Sequence, residues 1–134
     1  MIRLSSVLLG LFVLGCPLRA EIDVGRMIDA LAMKETGLRW DGHPGLRGEL
    51  SAWQITETVW RQHMEAEAFF DACVPALARV CALRHVRWLV AQIERRGLAV
   101  TPQRVATAWH FGLSHAAHST EWGLEVGNLY QDLR

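Results

Sequence analysis

Apolar residues recur at α-helical spacing through most of the chain, and this periodicity limits the fold more than any other sequence feature. From about Asp23 to Thr36 the apolar positions mark one face of a helix that packs on a core. The same pattern predicts further helices over about Glu57 to Met64, Glu65 to Cys73, Pro75 to Arg96 and Thr101 to Gly112, then a last helix with Trp122, Val126, Leu129 and Leu133 on one stripe. Residues 38–52 are rich in glycine and turn formers and predict an irregular loop. Because no segment alternates convincingly like a strand, we predict a mainly α-helical fold.

Length and charge narrow the class of protein. The 134 residues suffice for one small domain, and 51% of them are hydrophobic, so the chain can bury a core. The formal net charge at pH 7 is +0. Nucleic-acid-binding domains usually carry a basic surplus, so this balance argues against a nucleic-acid partner. We expect a monomer.

Residues 1–20 predict a secretory signal peptide, which leaves residues 21–134 as the mature domain. The apolar run from Leu4 to Gly15 is shorter than the ~20 residues of a permanent membrane-spanning helix. Two processing sites remain open, and retention of the segment as a membrane anchor is a third, less favoured alternative. The sequence VLGC is typical of a lipobox, which would make Cys16 a lipidated first residue attached to the membrane, whereas cleavage after Ala20 would release the domain. Both predict an exported protein, in the periplasm or outside the cell.

Cys73 and Cys81 form an even pair in a compartment that permits disulfides. On one straight helix, eight residues would separate them by ~12 Å, which is too far for a bridge. Pro75 lies between them and can break the helix, so a bridge stays open as an alternative. We favour two buried thiols.

Glu35 is the candidate catalytic residue. The apolar stripe of the first predicted helix consists of Val24, Met27, Ile28 and Leu31. The next position on that stripe is residue 35, so a carboxyl group stands where a leucine is expected, while Lys34 points elsewhere. Partial burial and the negative end of the helix dipole both raise the pKa of such a carboxyl. A carboxyl group that stays protonated near neutrality can act as a general acid, as in glycosidases. The alternative is a glutamate that emerges into solvent as its helix ends.

Four motifs in order resemble the lysozyme-like superfamily, specifically the bacterial lytic transglycosylase (SLT-type) domain. Glu35-Thr36-Gly37 stands at the family's E-S-G-like motif, and Gly48 to Ile55 stands at its G-x-x-G-x-x-Q-I-like segment. The stretch from Ala108 to Gly112, AWHFG, is similar to the family's A-Y-N-A-G. The sequence WGLEVGNLYQDL resembles the closing Y-x-x-x-V-x-x-x-Y helix, with Tyr130 at the final tyrosine. The resemblance covers about residues 22–133.

The resemblance implies a small lysozyme-like helical domain whose cleft binds peptidoglycan glycan strands and uses neither a metal nor a cofactor. Glu35 would protonate the oxygen between N-acetylmuramic acid and N-acetylglucosamine and then act as base while a 1,6-anhydro ring closes. Gln54 would orient the reacting sugar. The substrate-binding positions that the resemblance implies are Gln54, Trp53, Ser51, His110 and Tyr130.

The chain departs from the family's pattern at several of these positions. Thr36 replaces the usual serine, and Ser51-Ala52 stands where the second motif has its later glycine. Trp109 replaces a tyrosine, and His110 replaces an asparagine. In the family these positions line the sugar groove, so the departures bear on glycan preference and on activity.

Glu49 is the second carboxylate to consider, because it lies in the loop that would border the cleft. If Glu49 faced Glu35 across roughly 6.5–9.5 Å, an inverting hydrolase that uses water would result. Glu49 is therefore also counted as a substrate-binding candidate, against the alternative of an exposed loop residue. A third interpretation is a lysozyme-like domain that binds glycan, or serves a structural role, without cleaving it.

The aromatic residues add groove candidates. Six tryptophans in a small domain suit stacking on sugar rings. Trp60, Trp88 and Trp122 lie on helical stripes and favour the core, whereas Trp40 and Trp53 are candidates for the groove. The six histidines include His115 and His118, which are three residues apart, but no acidic or cysteine partner has metal-ligand spacing around them. We expect no metal site.

Overall fold

The structure, a computed structural model, describes residues 21–133, and within them it is mainly α-helical. Helix α1 spans Val24–Thr36, α2 Glu57–His63, α3 Pro75–Arg95, α4 Pro102–Phe111 and α5 Glu121–Asp132, with short 3₁₀ helices at Phe69–Cys73 and Leu113–His115. The described residues contain no strand, only one antiparallel bridge between Leu50 and Ile55. The predicted fold class is therefore confirmed at the level of a small, mainly α domain.

Helix α1 forms where its periodicity and its end signals predict it. The Asp23 side chain accepts a hydrogen bond from the Arg26 N–H, which caps the first turn. Gly37 ends the helix in the left-handed conformation, with its N–H bonded back into the last turn. The stripe residues Met27, Ile28 and Leu31 are fully buried.

The core lies where α1 packs against α3 and α5, while α4 packs against α5 and α3, and α2 against α3. Thr101 caps α4 and Pro102 is its first residue, as the sequence predicts. The largest side chains buried in this core are Trp60, Met27, Ile28, Leu31, Ile55, Leu89 and Ile93.

Two predicted elements differ in detail. The segment predicted as a helix over Glu65 to Cys73 forms only the 3₁₀ helix Phe69–Cys73, which the Asp71 side chain caps by accepting from the Ala68 N–H. In α5 the buried face is centred on Gly123, Val126, Gly127 and Tyr130, whereas Leu133 is exposed. The buried face therefore differs from the predicted stripe. Two of its positions are glycines, which a pattern of hydrophobic side chains does not register.

Cys73 and Cys81 are both free thiols, with Cys81 buried and Cys73 half-buried. The prediction of two thiols is confirmed, although Cys73 is less buried than expected. Burial raises the pKa of the Cys81 thiol to about 11. The predicted signal peptide and Cys16 lie outside the described residues, so their processing stays a prediction. Within residues 21–133, no helix is long and apolar enough to cross a membrane.

Close contact between α4 and α5 predicts a position-specific effect of alanine. A methyl group on Gly123 would lie 2.8 Å from the Gln103 carbonyl oxygen and would also collide with the Thr107 hydroxyl. Gly123→Ala should therefore lower the free energy of unfolding by about 1–3 kcal/mol through overpacking. Denaturation followed by circular dichroism measures this change.

Gly25→Ala in α1 is the matched control. A methyl group at Gly25 would approach nothing closer than the Asp23 carboxylate at 3.4 Å, so Gly25→Ala should leave stability unchanged or raise it by up to about 1 kcal/mol. Equal effects of the two substitutions would contradict the packing that we describe for α4 and α5.

Candidate active site

Glu35 lies in the last turn of α1 and is largely withdrawn from solvent. Its side chain is 14% exposed, as expected for a residue that continues the buried stripe. Lys34, one residue earlier, forms an ion pair with Glu125 of α5. Lys34 therefore pairs with Glu125 and not with Glu35. This agrees with the prediction that Lys34 points away from Glu35.

Burial sets the proton affinity of Glu35. Loss of solvation raises the pKa of its carboxyl above the usual value, because burial disfavours the charged form. The charge of His110 opposes this rise, and a hydrogen bond from the Trp109 side chain also lowers the pKa. The negative charge of Glu49 raises it further. Since burial is the largest of these effects, the carboxyl is suited to hold a proton and to donate it as a general acid.

His110 faces Glu35 from the penultimate position of α4. The distance between His110 Nδ1 and Glu35 Oε1 is 3.6 Å, which is long for a hydrogen bond but short enough for strong electrostatic interaction. The imidazole stacks on the Trp122 indole, with ring centroids 4.4 Å apart and planes 19° from parallel, and the Phe111 ring meets it edge-on. These ring contacts hold the imidazole beside the carboxyl while 39% of its side chain stays exposed.

Two cavities meet at Glu35 and Gln54, which line both of them. The first, of about 330 Å³, is also bordered by Arg39, Trp40 and His43. The second, of about 290 Å³, is bordered by Arg47, Glu49, Thr56, Trp109 and His110. The Glu35 carboxyl therefore lies between two cavities, and polar residues border each of them.

The loop after α1 carries Gln54 and Glu49. The backbone of the same loop passes close to both side chains at Gly45. A methyl group on Gly45 would lie 2.6 Å from the Gln54 side-chain oxygen and 2.5 Å from a Glu49 carboxylate oxygen, so only glycine fits there without a shift. Gln54 itself has a φ of 49°, a left-handed conformation that is uncommon outside glycine. Its side-chain amide donates to the Ser51 carbonyl at 3.0 Å.

Glu49 is the other carboxylate of this site. Its side chain is 17% exposed, and it accepts a hydrogen bond from the Arg47 N–H at 2.8 Å. The Arg47 guanidinium lies 4.0 Å from the same carboxylate. Glu49 is thus no freely exposed loop residue, since it lines the second cavity together with Glu35.

Three sequence-predicted substrate residues lie outside the two cavities. The Trp53 indole N–H donates to the Ile28 carbonyl at 2.8 Å, and this side chain belongs to the core. Ser51 is buried, and its hydroxyl accepts from the Trp53 N–H. The Tyr130 hydroxyl accepts from the Asp23 N–H at 3.0 Å, which ties α5 to the start of α1. Their burial and hydrogen bonds give these residues structural roles, and their contact with sugar stays a prediction.

Other residues at the site were not predicted as site residues. Trp109 reaches Glu35 and lines the second cavity; the resemblance placed its position in the sugar groove, but Trp109 itself was not named as a site residue. Arg39 lines the first cavity, as does Trp40, the other groove candidate. The Trp40 indole N–H donates to the His43 carbonyl at 2.8 Å, which fixes its position. The turn-rich composition of this loop gave no signal for either Arg39 or His43.

A histidine pair lies behind Trp109. His63 Nε2 and His85 Nδ1 are 3.0 Å apart, and the His85 ring lies 5.2 Å from the Trp109 ring. Burial lowers the pKa of His85 to about 4 and also lowers that of His63. Within residues 21–133, no group of three histidine, cysteine or acidic side chains is placed to hold a metal ion.

Comparison with known proteins gives no match to any family model, curated sequence or solved structure.

The Glu35–His110 contact predicts how one substitution changes the titration of Glu35. His110→Asn removes a charge that lowers the pKa of the carboxyl, so the pKa of Glu35 should rise further. Carboxyl ¹³C chemical shifts recorded against pH measure this directly, without any assay of activity.

His118→Asn serves as the control, because His118 is exposed and borders neither cavity. It should leave the Glu35 titration unchanged. A Glu35 pKa that falls, or stays the same, in His110→Asn would show that His110 does not act on the carboxyl as the geometry indicates.

Proposed function

We propose that the protein is a peptidoglycan-cleaving muramidase of the lytic transglycosylase type. The observation that carries the proposal is a largely buried glutamate, whose pKa is raised by burial, at the meeting of two polar cavities. The order of the motifs around Glu35 and Gln54 supports the same family. The lysozyme-like character of the fold belongs to this proposal.

The chemistry needs one group that first gives and then takes a proton. The Glu35 carboxyl donates its proton to the glycosidic oxygen as the bond from that oxygen to C1 of the muramic acid breaks. Positive charge then develops at C1 and the ring oxygen. The resulting Glu35 carboxylate removes the proton from the C6 hydroxyl, whose oxygen bonds to C1 and closes the anhydro ring. Glu35 ends the cycle protonated, so no metal or cofactor enters the proposal.

The surroundings of Glu35 suit both halves of this cycle. Burial favours the protonated form before bond cleavage, and His110 can stabilise the carboxylate that forms afterwards. Gln54, which lines both cavities, lies where its side-chain oxygen or N–H groups can hold the sugar that carries the reacting bond. We propose that the protein acts on the wall outside the cytoplasm, in line with the predicted signal peptide.

The second candidate function is a hydrolytic lysozyme in which Glu49 activates water. The specific observation in its favour is that Glu49 lines the same cavity as Glu35 and acts on its pKa. The Arg47 N–H donates to the Glu49 carboxylate and the Arg47 guanidinium lies 4.0 Å from it, so this carboxylate is held in place at the wall of the cavity. A domain that binds glycan without cleaving it is the remaining alternative from the sequence.

Mass spectrometry of digested peptidoglycan tests the proposal. The protein should release anhydro-muropeptides, which are lighter by one water than hydrolytic products, and Glu35→Gln should lower the rate by at least ~100-fold because it removes the general acid. Glu65→Gln, which changes an exposed glutamate outside both cavities, is the matched control and should retain full activity. No products from the unaltered protein on several wall types would refute cleavage.

The melting temperature of Glu35→Gln shows whether this variant keeps the fold of the unaltered protein. The raised pKa means that ionised Glu35 destabilises the folded state, an effect that grows as the pH rises through the folded-state pKa. Glutamine removes this effect, so the melting temperature of Glu35→Gln at neutral pH should equal or exceed that of the unaltered protein. A clearly lower melting temperature would mean that lost activity reflects lost structure.

Glu49→Gln separates the two enzymatic candidates. In a transglycosylase, Glu49 only tunes the pKa of Glu35, so anhydro products should persist at a rate reduced less than ~10-fold. Its removal should also lower the pKa of Glu35 and move the alkaline limit of activity downward, because a negative neighbour is lost. Reducing-end products that vanish in Glu49→Gln would assign the hydrolytic mechanism instead.

A further inference from the structure

A third cavity, of about 500 Å³, adjoins the first one. Arg39 and Trp40 line both cavities, so they form the boundary between the space beside Glu35 and this second space. The remaining lining is mostly apolar and includes Ala32, Leu38, Ala52, Trp53 and Pro75. Its size falls within the range of ~300–1,000 Å³ that ligand-binding pockets usually have.

The boundary carries a cation that has no partner among the residues that the structure describes. Arg39 is exposed, and within residues 21–133 its guanidinium has no ion pair and no hydrogen bond. The other arginine at this cavity, Arg79, is already paired with Asp29 at 3.0 Å. Arg39 is therefore available for a carboxylate that residues 21–133 do not supply.

Leu38 supports a binding role for the same edge. Its side chain is 54% exposed, and its φ of 65° is a left-handed conformation that is rare for a leucine. This conformation belongs to the turn that ends α1, because the Leu38 N–H bonds back to the Ala32 carbonyl at 3.2 Å, and the turn holds the leucine side chain at the edge of the cavity. The indole N–H of the neighbouring Trp40 donates to the His43 carbonyl, so the wall beside Leu38 and Arg39 is fixed before any ligand binds.

Resting on the proposed function, we propose that this third cavity binds the peptide stem of peptidoglycan, with Arg39 pairing with a stem carboxylate. Each muramic acid carries its peptide on the lactyl group, beside the sugar ring that must lie near Glu35. The stem begins with an alanyl methyl group and continues to free carboxylates. An apolar cavity with one unpaired cation at its entrance, adjoining the catalytic cavity, matches this chemistry in both polarity and charge.

Binding of the stem in the third cavity should make the protein selective for glycan strands that carry peptides. Bare strands would occupy the cavities beside Glu35 but leave the third cavity empty. The stem would hold the adjacent sugar near the carboxyl, so its binding should appear as faster cleavage of peptide-bearing strands.

Binding to Glu35→Gln tests the site apart from cleavage. Titration calorimetry compares N-acetylmuramyl-L-alanyl-D-glutamate with N-acetylmuramic acid N-methylamide, which has the same sugar and no peptide. We expect the peptide-bearing probe to bind at least ~10-fold more tightly. Adding Arg39→Gln should remove most of that difference, since a charge-assisted contact is lost.

Two further variants control for damage to the fold. Arg87→Gln changes an exposed arginine that borders none of the three cavities, and it should leave both affinities unchanged. In Leu38→Asn, the asparagine tolerates the left-handed conformation, but the apolar contact of the leucine side chain is lost. It should weaken binding of the peptide-bearing probe without lowering the melting temperature.

The outcomes separate this inference from the proposed function. Equal affinities for the two probes, or no measurable affinity for either, would overturn the stem site. So would cleavage of peptide-bearing and peptide-stripped strands at equal rates by the unaltered protein, and the muramidase proposal would then survive. Arg39-dependent binding of the peptide probe without cleavage of any strand would uphold the stem site and overturn the enzyme.

Discussion

The candidate site depends on one unfavourable interaction, the burial of a carboxyl group at the end of α1. The helix presents Met27, Ile28 and Leu31 to the core, and the same face one turn later presents Glu35. Withdrawal from water disfavours ionisation, and it is the largest influence on this carboxyl. The core that stabilises α1 therefore also produces the chemical property that the proposed reaction needs.

The second requirement is a loop that closes over the end of that helix. The Thr36 hydroxyl lies within hydrogen-bonding distance of the Ala52 carbonyl, at 2.9 Å, and thus links the residue after Glu35 to the loop. Paired backbone hydrogen bonds between Leu50 and Ile55 close a tight turn that holds Gln54 in its left-handed conformation. The loop is irregular because it must turn repeatedly within a short distance. Its conformation is nevertheless fixed by contacts to the helix.

The sequence predicted the helices well because periodicity and end signals act locally. It predicted Glu35, Gln54, Glu49 and His110 as site residues, and these do meet at the two cavities. It did not predict the burial of Trp53 and Tyr130, whose polar atoms bond to the backbone of α1 and to the residue before it. Such contacts join residues far apart in the chain, and an aromatic side chain with a polar tip suits a groove and a core equally well. The glycine-marked face of α5 was missed because hydrophobicity patterns register side chains and not their absence.

The charged groups that act on the pKa of Glu35, in addition to burial, lie on the cavity side of its carboxyl. Behind Trp109 lies the His63–His85 pair, in which burial lowers the pKa of His85 to about 4, so the imidazole beside Trp109 is uncharged at neutral pH. The charges that act on Glu35 are those of His110 and Glu49, and both line the cavity where a ligand would lie. A bound sugar that displaces water there would strengthen both interactions, because charges act more strongly where the dielectric constant is low. His110 lowers and Glu49 raises the pKa of Glu35, so the change in this pKa when the cavity is occupied depends on the balance between the two residues.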